Sequence, residues 1–235
     1  MNNNIRELLC WIIGTQPSFK TDAFFDEEAA LNAILGHKLL FLLLFRSNIQ
    51  FGGIKNSVDV FPKTFVEKCL CQVYRRCMQF GQQIKLISEL NTKMPNCGFP
   101  IKGVVPYLLT HDEKFIRNSS DIDYVGDDHE IMLNIILGMG GEIINKSLSG
   151  HEREVFKLNN VCIEGHIGFP VIHIPDDAIM YQGTVKPIIT DYLSYDYMKA
   201  HLVWCDEING YIPNVELTAL ILCLHAYKED RKSVV

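Results

Sequence analysis

Phe65, Cys69, Val73, Cys77, Phe80, Ile84, Ile87 and Leu90 step by three or four residues without interruption. This spacing predicts one long helix, beginning near Pro62, with a single apolar stripe. Such a helix is stable only when a second layer covers the stripe. The pattern stops at Asn91 to Gly98, where Asn, Pro, Cys and Gly cluster, and beyond it helical spacing gives way to stretches of alternation. The chain therefore reads as α+β: residues 1–95 mostly helical, residues 96–212 an α/β core with a small mixed sheet, and residues 213–235 a closing helix.

Other segments fill in this outline. Acidic Asp26, Glu27 and Glu28 suit a helix N-terminus, and the apolar residues from Ala29 through Leu35 to the run Leu39 to Phe45 predict one buried helix after them. Phe99-Pro100-Ile101 is a short extended piece. Asp121 to Val125 alternates like a strand, and Asp127 or Asp128 can cap a helix through Ile131, Met132, Ile135 and Ile136 that stops at Gly138, Gly140 and Gly141. Glu154 to Leu158, the turn Asn159-Asn160 and Val161 to Ile167 predict a hairpin. Pro170, Pro175, Asp176 and Asp177 mark loops, and Tyr181 to Tyr211 has no clean period. Asn214, beside Pro213, is the expected N-cap of a last helix with Leu217, Leu220, Ile221 and Leu224 on its apolar face.

Composition narrows the partners. A formal net charge of −6 over 235 residues leaves no broad basic surface, so a long nucleic-acid track is disfavoured. The longest apolar run, Leu39 to Phe45, is far short of the roughly 20 residues of a membrane span. The eight cysteines are scattered and read as reduced thiols, with Cys69 and Cys77 on the apolar stripe rather than around zinc. The opening Met-Asn-Asn-Asn-Ile-Arg-Glu is unlike a secretion signal, and the cytoplasm is the expected location.

The chemistry concentrates in three short pieces. On a strand, Asp121 and Asp123 point to one face while Ile122 faces the core. Two neighbouring carboxylates repel unless a cation lies between them, and oxygen ligands suit a hard cation such as Mg²⁺ or Mn²⁺. In the hairpin Cys162, Glu164 and His166 share a face. If that strand lies beside the Asp121 strand, Glu164 becomes a third carboxylate at the same place, and the three acids can hold two metal ions. His166 reads as a histidine hydrogen-bonded beside the site rather than a ligand.

The order Ile101-Lys102-Gly103, a short helix, Arg117 four residues before Asp121-Ile122-Asp123, an acid-capped helix ending in Gly, and a hairpin carrying Glu164-x-His166 resembles a family of uncharacterised bacterial nucleotidyltransferases. That family belongs to the polymerase-beta nucleotidyltransferase superfamily, and the resemblance runs from about Ala29 to Tyr227. It implies a polymerase-beta-like fold and transfer of a nucleoside monophosphate from an NTP to a hydroxyl of a small molecule or protein. Asp121, Asp123 and Glu164 then look like the catalytic metal ligands, and Lys102 with Gly103 like the phosphate-side turn. Arg117 is a candidate bidentate partner for phosphate, and Ser119 and Ser120 are further nucleotide-side donors. Three features depart from the pattern. Lys102 stands where the wider superfamily has a small residue, Ile167 where an aromatic is common, and Gly165 hints at a bulge that would displace Glu164. The narrower family accepts the Lys102-Gly103 pair, whereas Gly165 and Ile167 motivate one alternative, a catalytically silent nucleotide-binding or protein-interaction module; a further alternative is a toxin-antitoxin component that modifies a protein.

Overall fold

The computed structural model describes residues 3–21, 25–47, 61–116, 119–146, 152–173 and 188–232. Arg117, and the predicted loop residues Pro175, Asp176 and Asp177, lie outside them, as do residues 181–187 of the stretch without a clean period. The chain forms two compact units, Met1–Gly81 with Thr110–Ser119, and Gln82–Leu109 with Ser120–Val235.

The first unit is helical: α1 (Asn3–Ile12), α2 (Glu27–Gly36), α3 (Leu40–Arg46), the first half of α4 (Lys63–Lys93) and a 3₁₀ turn at Glu113–Phe115. Its core joins aliphatic side chains to an aromatic cluster. Phe25 packs edge-on against Phe65 at 5.2 Å between ring centres, and Trp11, Phe19 and Phe61 extend the cluster. The single helix expected from Ala29 to Phe45 is instead two helices, bent by 113°. Lys38 has φ 59°, in the left-handed region, and the Leu39 amide bonds back to the Ile34 carbonyl, which closes α2 before α3 begins. Among the described residues, no single helix is long and apolar enough to cross a membrane. All eight cysteines are free thiols; Cys69 is buried, and burial pushes its thiol up to about 12.

The second unit is α+β. Its sheet has the order β1-β2-β5-β4-β3, built from β1 (Gly98–Pro100), β2 (Asp121–Gly126), β3 (Glu142–Lys146), β4 (Glu152–Leu158) and β5 (Val161–His166). β2 and β5 run parallel and the other neighbours antiparallel, so the sheet is mixed. Asn159 and Asn160, both at positive φ, make the β4–β5 turn as expected. The expected bulge lies elsewhere. Gly165 keeps register with Tyr124 of β2, while β4 carries the irregularity, Arg153 and Glu154 together occupying the place opposite Gly165. Gly165 has its own reason: a Cβ there would come 2.6 Å from the Met132 side chain of α6 (His129–Gly138). Asp128 caps α6, its side chain accepting from the Glu130 and Ile131 amides.

Strand alternation divides the sheet's two faces. Tyr124 and Gly165 face α4 and α6, and the Tyr124 hydroxyl donates to Asn91 Oδ1 at 2.7 Å. Val125 belongs with Phe99, Ile101, Phe169, Tyr195, Met198, Leu217 and Ile221 to a buried cluster on the opposite face. That cluster draws on β6 (Gly168–His173), α7 (Tyr195–Lys199) and α8 (Val215–Lys232). Pro170, read as a loop residue, sits inside β6, paired with Tyr192 of β7 (Ile188–Ser194). A two-stranded ribbon tolerates it because each strand has an edge needing no donor. Asn214 caps α8 as expected, accepting from the Leu217 amide at 2.9 Å, but Leu220 turns outward and is 39% exposed.

The stretch from residue 188 onward is thus a strand, a short helix and a hairpin: β7, α7, then β8 (Leu202–Cys205) paired with β9 (Gly210–Pro213). Asn91 of α4 holds this last hairpin, its Nδ2 donating to the Ile208 carbonyl at 2.9 Å. A Cβ at Gly210 would stand 2.2 Å from that nitrogen. Gly210→Ala is therefore expected to cost about 1–3 kcal/mol by forcing Asn91 off its partners. Thermal unfolding checks this, and an unchanged midpoint would mean that Asn91 is not held there.

Candidate metal centre

The site is assembled by the β2–β5 pairing. Parallel register sets Asp121 opposite Cys162, Asp123 opposite Glu164 and Val125 opposite His166. Asp123 and Glu164 are cross-strand neighbours, and His166, two residues on, projects from the same face as Glu164. Ligand atoms of Asp123, Glu164 and His166 all lie within 4.8 Å of one another. Asp123 and His166 are buried, at 5% and 4% exposure, while the Glu164 side chain is 36% exposed.

A third element reaches in from β1. The Ile101 amide donates to the Asp123 carbonyl at 3.1 Å, continuing the β1–β2 ladder, and Lys102 follows immediately. Lys102 Nζ is 2.7 Å from Asp123 Oδ1, with its side chain only 14% exposed. The same carboxylate oxygen is 3.2 Å from His166 Nε2. Gly103 then takes φ 59°, a left-handed conformation that a side chain would strain, and the Val105 amide closes the turn on the Lys102 carbonyl before α5 (Val105–Thr110).

These surroundings drive the two carboxylates apart electrostatically. Burial by itself would raise the Asp123 carboxyl, but the hydrogen bond from His166 and the positive charges of Lys102 and His166 outweigh it and hold the group well below the usual aspartate range. Glu164 moves the other way. Burial and the negative charges of Asp123 and Asp121 push it up, with His166 and Lys102 offsetting only part. Asp123 is thus a fixed anion, and Glu164 is the group better able to take a proton.

No family model, curated protein or solved structure matches the chain. Its chemistry is read from these side chains.

The placements differ in detail from the three-carboxylate expectation. Asp121 opens β2, half-buried; its carbonyl accepts from Gln83 Nε2 at 3.2 Å, and it is not one of the three residues whose ligand atoms cluster. His166 takes that third place. Ser119 and Ser120 directly precede β2, with Ser120 exposed. Lys102 meets Asp123 instead of standing free for phosphate. The signal for His166 was present, since alternation already put it on the Glu164 face; the register of β5 on β2 brings it to Asp123. The donor set of two carboxylates and one imidazole fits a divalent cation, and the nitrogen suits Mn²⁺ better than Mg²⁺.

Proposed function

We propose that this chain is a metal-dependent nucleotidyltransferase of the polymerase-beta type. It would move a nucleoside monophosphate from an NTP to a hydroxyl of a small molecule or protein and release pyrophosphate. One observation carries the reading: the parallel β2–β5 pairing that sets Asp123 beside Glu164 and His166, next to a left-handed glycine turn led by Lys102. The mixed five-stranded sheet behind this face is compatible with such a fold.

Asp123, Glu164 and His166 would hold Mg²⁺ or Mn²⁺. When bound, that cation supplies charge neutralisation for the NTP phosphates. Glu164, with its raised proton affinity and partial exposure, can take the proton from the acceptor hydroxyl. The acceptor oxygen then bonds to the α-phosphorus as the bond to the bridging oxygen breaks, and the electron pair leaves with pyrophosphate. Lys102, whose ammonium lies 2.7 Å from Asp123 Oδ1, can meet developing negative charge.

The test is pyrophosphate release from each of the four NTPs with Mg²⁺ or Mn²⁺, against a panel of hydroxyl-bearing small molecules and proteins. Wild type is expected to release pyrophosphate in an acceptor-dependent way, and Asp123→Asn to lose about 10²-fold or more. A nucleotide-sized mass shift on a protein would identify that acceptor class. NTP binding with no release under any acceptor would replace this reading with the silent binding module.

A further inference from the structure

Lys102 is engaged before any phosphate arrives. Its ammonium lies 2.7 Å from Asp123 Oδ1 and 5.8 Å from the centre of the Phe169 ring, so charged head and stem are both packed. The oxygen it meets also contacts His166 Nε2 at 3.2 Å. A divalent cation held by Asp123, Glu164 and His166 needs that same carboxylate and a lone pair on the imidazole. An ammonium and a divalent cation cannot share a carboxylate that is 5% exposed without strong repulsion in a medium of low polarity. The metal must therefore move Lys102 away, and the displaced ammonium requires another anion. The flexible four-carbon stem of lysine allows the swing, and the oxygens of a polyphosphate can receive it.

We propose that Lys102 is a tethered counter-ion that occupies Asp123 until a divalent cation and a polyphosphate arrive together, so that each binds weakly without the other. This rests on the metal-centre reading above. It makes Lys102 a specificity-determining residue: a free divalent ion is rejected, and a metal–polyphosphate complex is accepted because it brings both the replacement cation for Asp123 and the replacement anion for Lys102. The two bindings are then linked through one side chain with two discrete partners.

The experiment is titration of Mn²⁺ alone, followed by the electron paramagnetic resonance of the free ion, into wild type and Lys102→Met. The variant is expected to bind Mn²⁺ about tenfold tighter, because nothing has to be displaced. Since removing Lys102 also leaves Asp123 without its main partner and can unfold the unit, a second measurement uses wild type only. Lysines are labelled with acetic anhydride and read by peptide mass spectrometry in free protein, with Mn²⁺, and with Mn²⁺ plus inorganic tripolyphosphate. Lys102 is expected to be protected when free, to label faster with Mn²⁺, and to be protected again with tripolyphosphate. Equal or weaker Mn²⁺ binding by folded Lys102→Met overturns the inference, as does Lys102 labelling that Mn²⁺, shown to be bound, fails to move. Mn²⁺ binding to neither protein overturns the metal centre itself.

Discussion

Asp123→Ala is expected to destabilise the second unit by about 3–5 kcal/mol, because it removes the buried anion that contacts both the Lys102 ammonium and the His166 ring. Lys102 would keep an ammonium at 14% exposure without its 2.7 Å partner, and His166, at 4% exposure, would lose its contact with the same oxygen. The double variant Asp123→Ala, Lys102→Met should recover most of the loss, since an apolar side chain replaces the stranded charge. Urea unfolding of wild type, both single variants and the double variant gives the coupling directly. The pH dependence has a definite sign. Asp123 titrates lower in the fold than in the unfolded chain, so its contribution is complete above the ordinary aspartate range and is lost as pH falls through the lowered folded value. The difference between wild type and Asp123→Ala should accordingly shrink below about pH 4. A difference that is the same at pH 7 and at pH 3 would show that the carboxylate charge is not what holds Lys102 and His166.

In the proposed transfer reaction, Glu164→Gln should separate stability from activity. The amide keeps the shape and takes no proton, and loss of a general base typically costs about 10²–10⁴-fold in rate. Stability should move the opposite way. The folded-state value of Glu164 is raised, so its favourable contribution is present in acid and is lost as pH rises through that value, leaving an ionised carboxylate that burial and the charges of Asp123 and Asp121 disfavour. At neutral pH the glutamine variant should unfold at an equal or higher urea concentration than wild type, and the gap should close in acid. The effect is modest because solvent reaches the side chain. Turnover retained in Glu164→Gln would remove Glu164 from the proton-transfer role, whatever its stability.

Local chemistry explains which parts of the fold were legible. Asp128 and Asn214 were readable as caps because a side chain bonding two or three residues ahead needs only its own neighbourhood. Asn159-Asn160 was readable as a turn for the same reason. The break between α2 and α3 was hidden because apolar residues continue on both sides of it, and the decisive left-handed residue is a lysine, which carries no turn signal. At the site, the shared face of Glu164 and His166 follows from strand alternation, whereas their meeting with Asp123 depends on how β5 aligns with β2, some 40 residues away in the chain. The Lys102–Asp123 contact depends likewise on β1 lying beside β2. Ligand preference alone favoured oxygen donors and left His166 outside the expected ligands; register places it in the cluster with Asp123 and Glu164.

Asn91 also bears on which substitutions this chain can accept. Its amide is divided between the Tyr124 hydroxyl and the Ile208 carbonyl, and it fits only because residue 210 has no side chain. Substitution at position 91 orphans two polar groups, substitution at 124 leaves the amide half-used, and any side chain at 210 evicts it. The three positions are therefore a locked combination: each single step passes through a less stable protein, which ties together the helix, the strand behind the candidate site and the far hairpin.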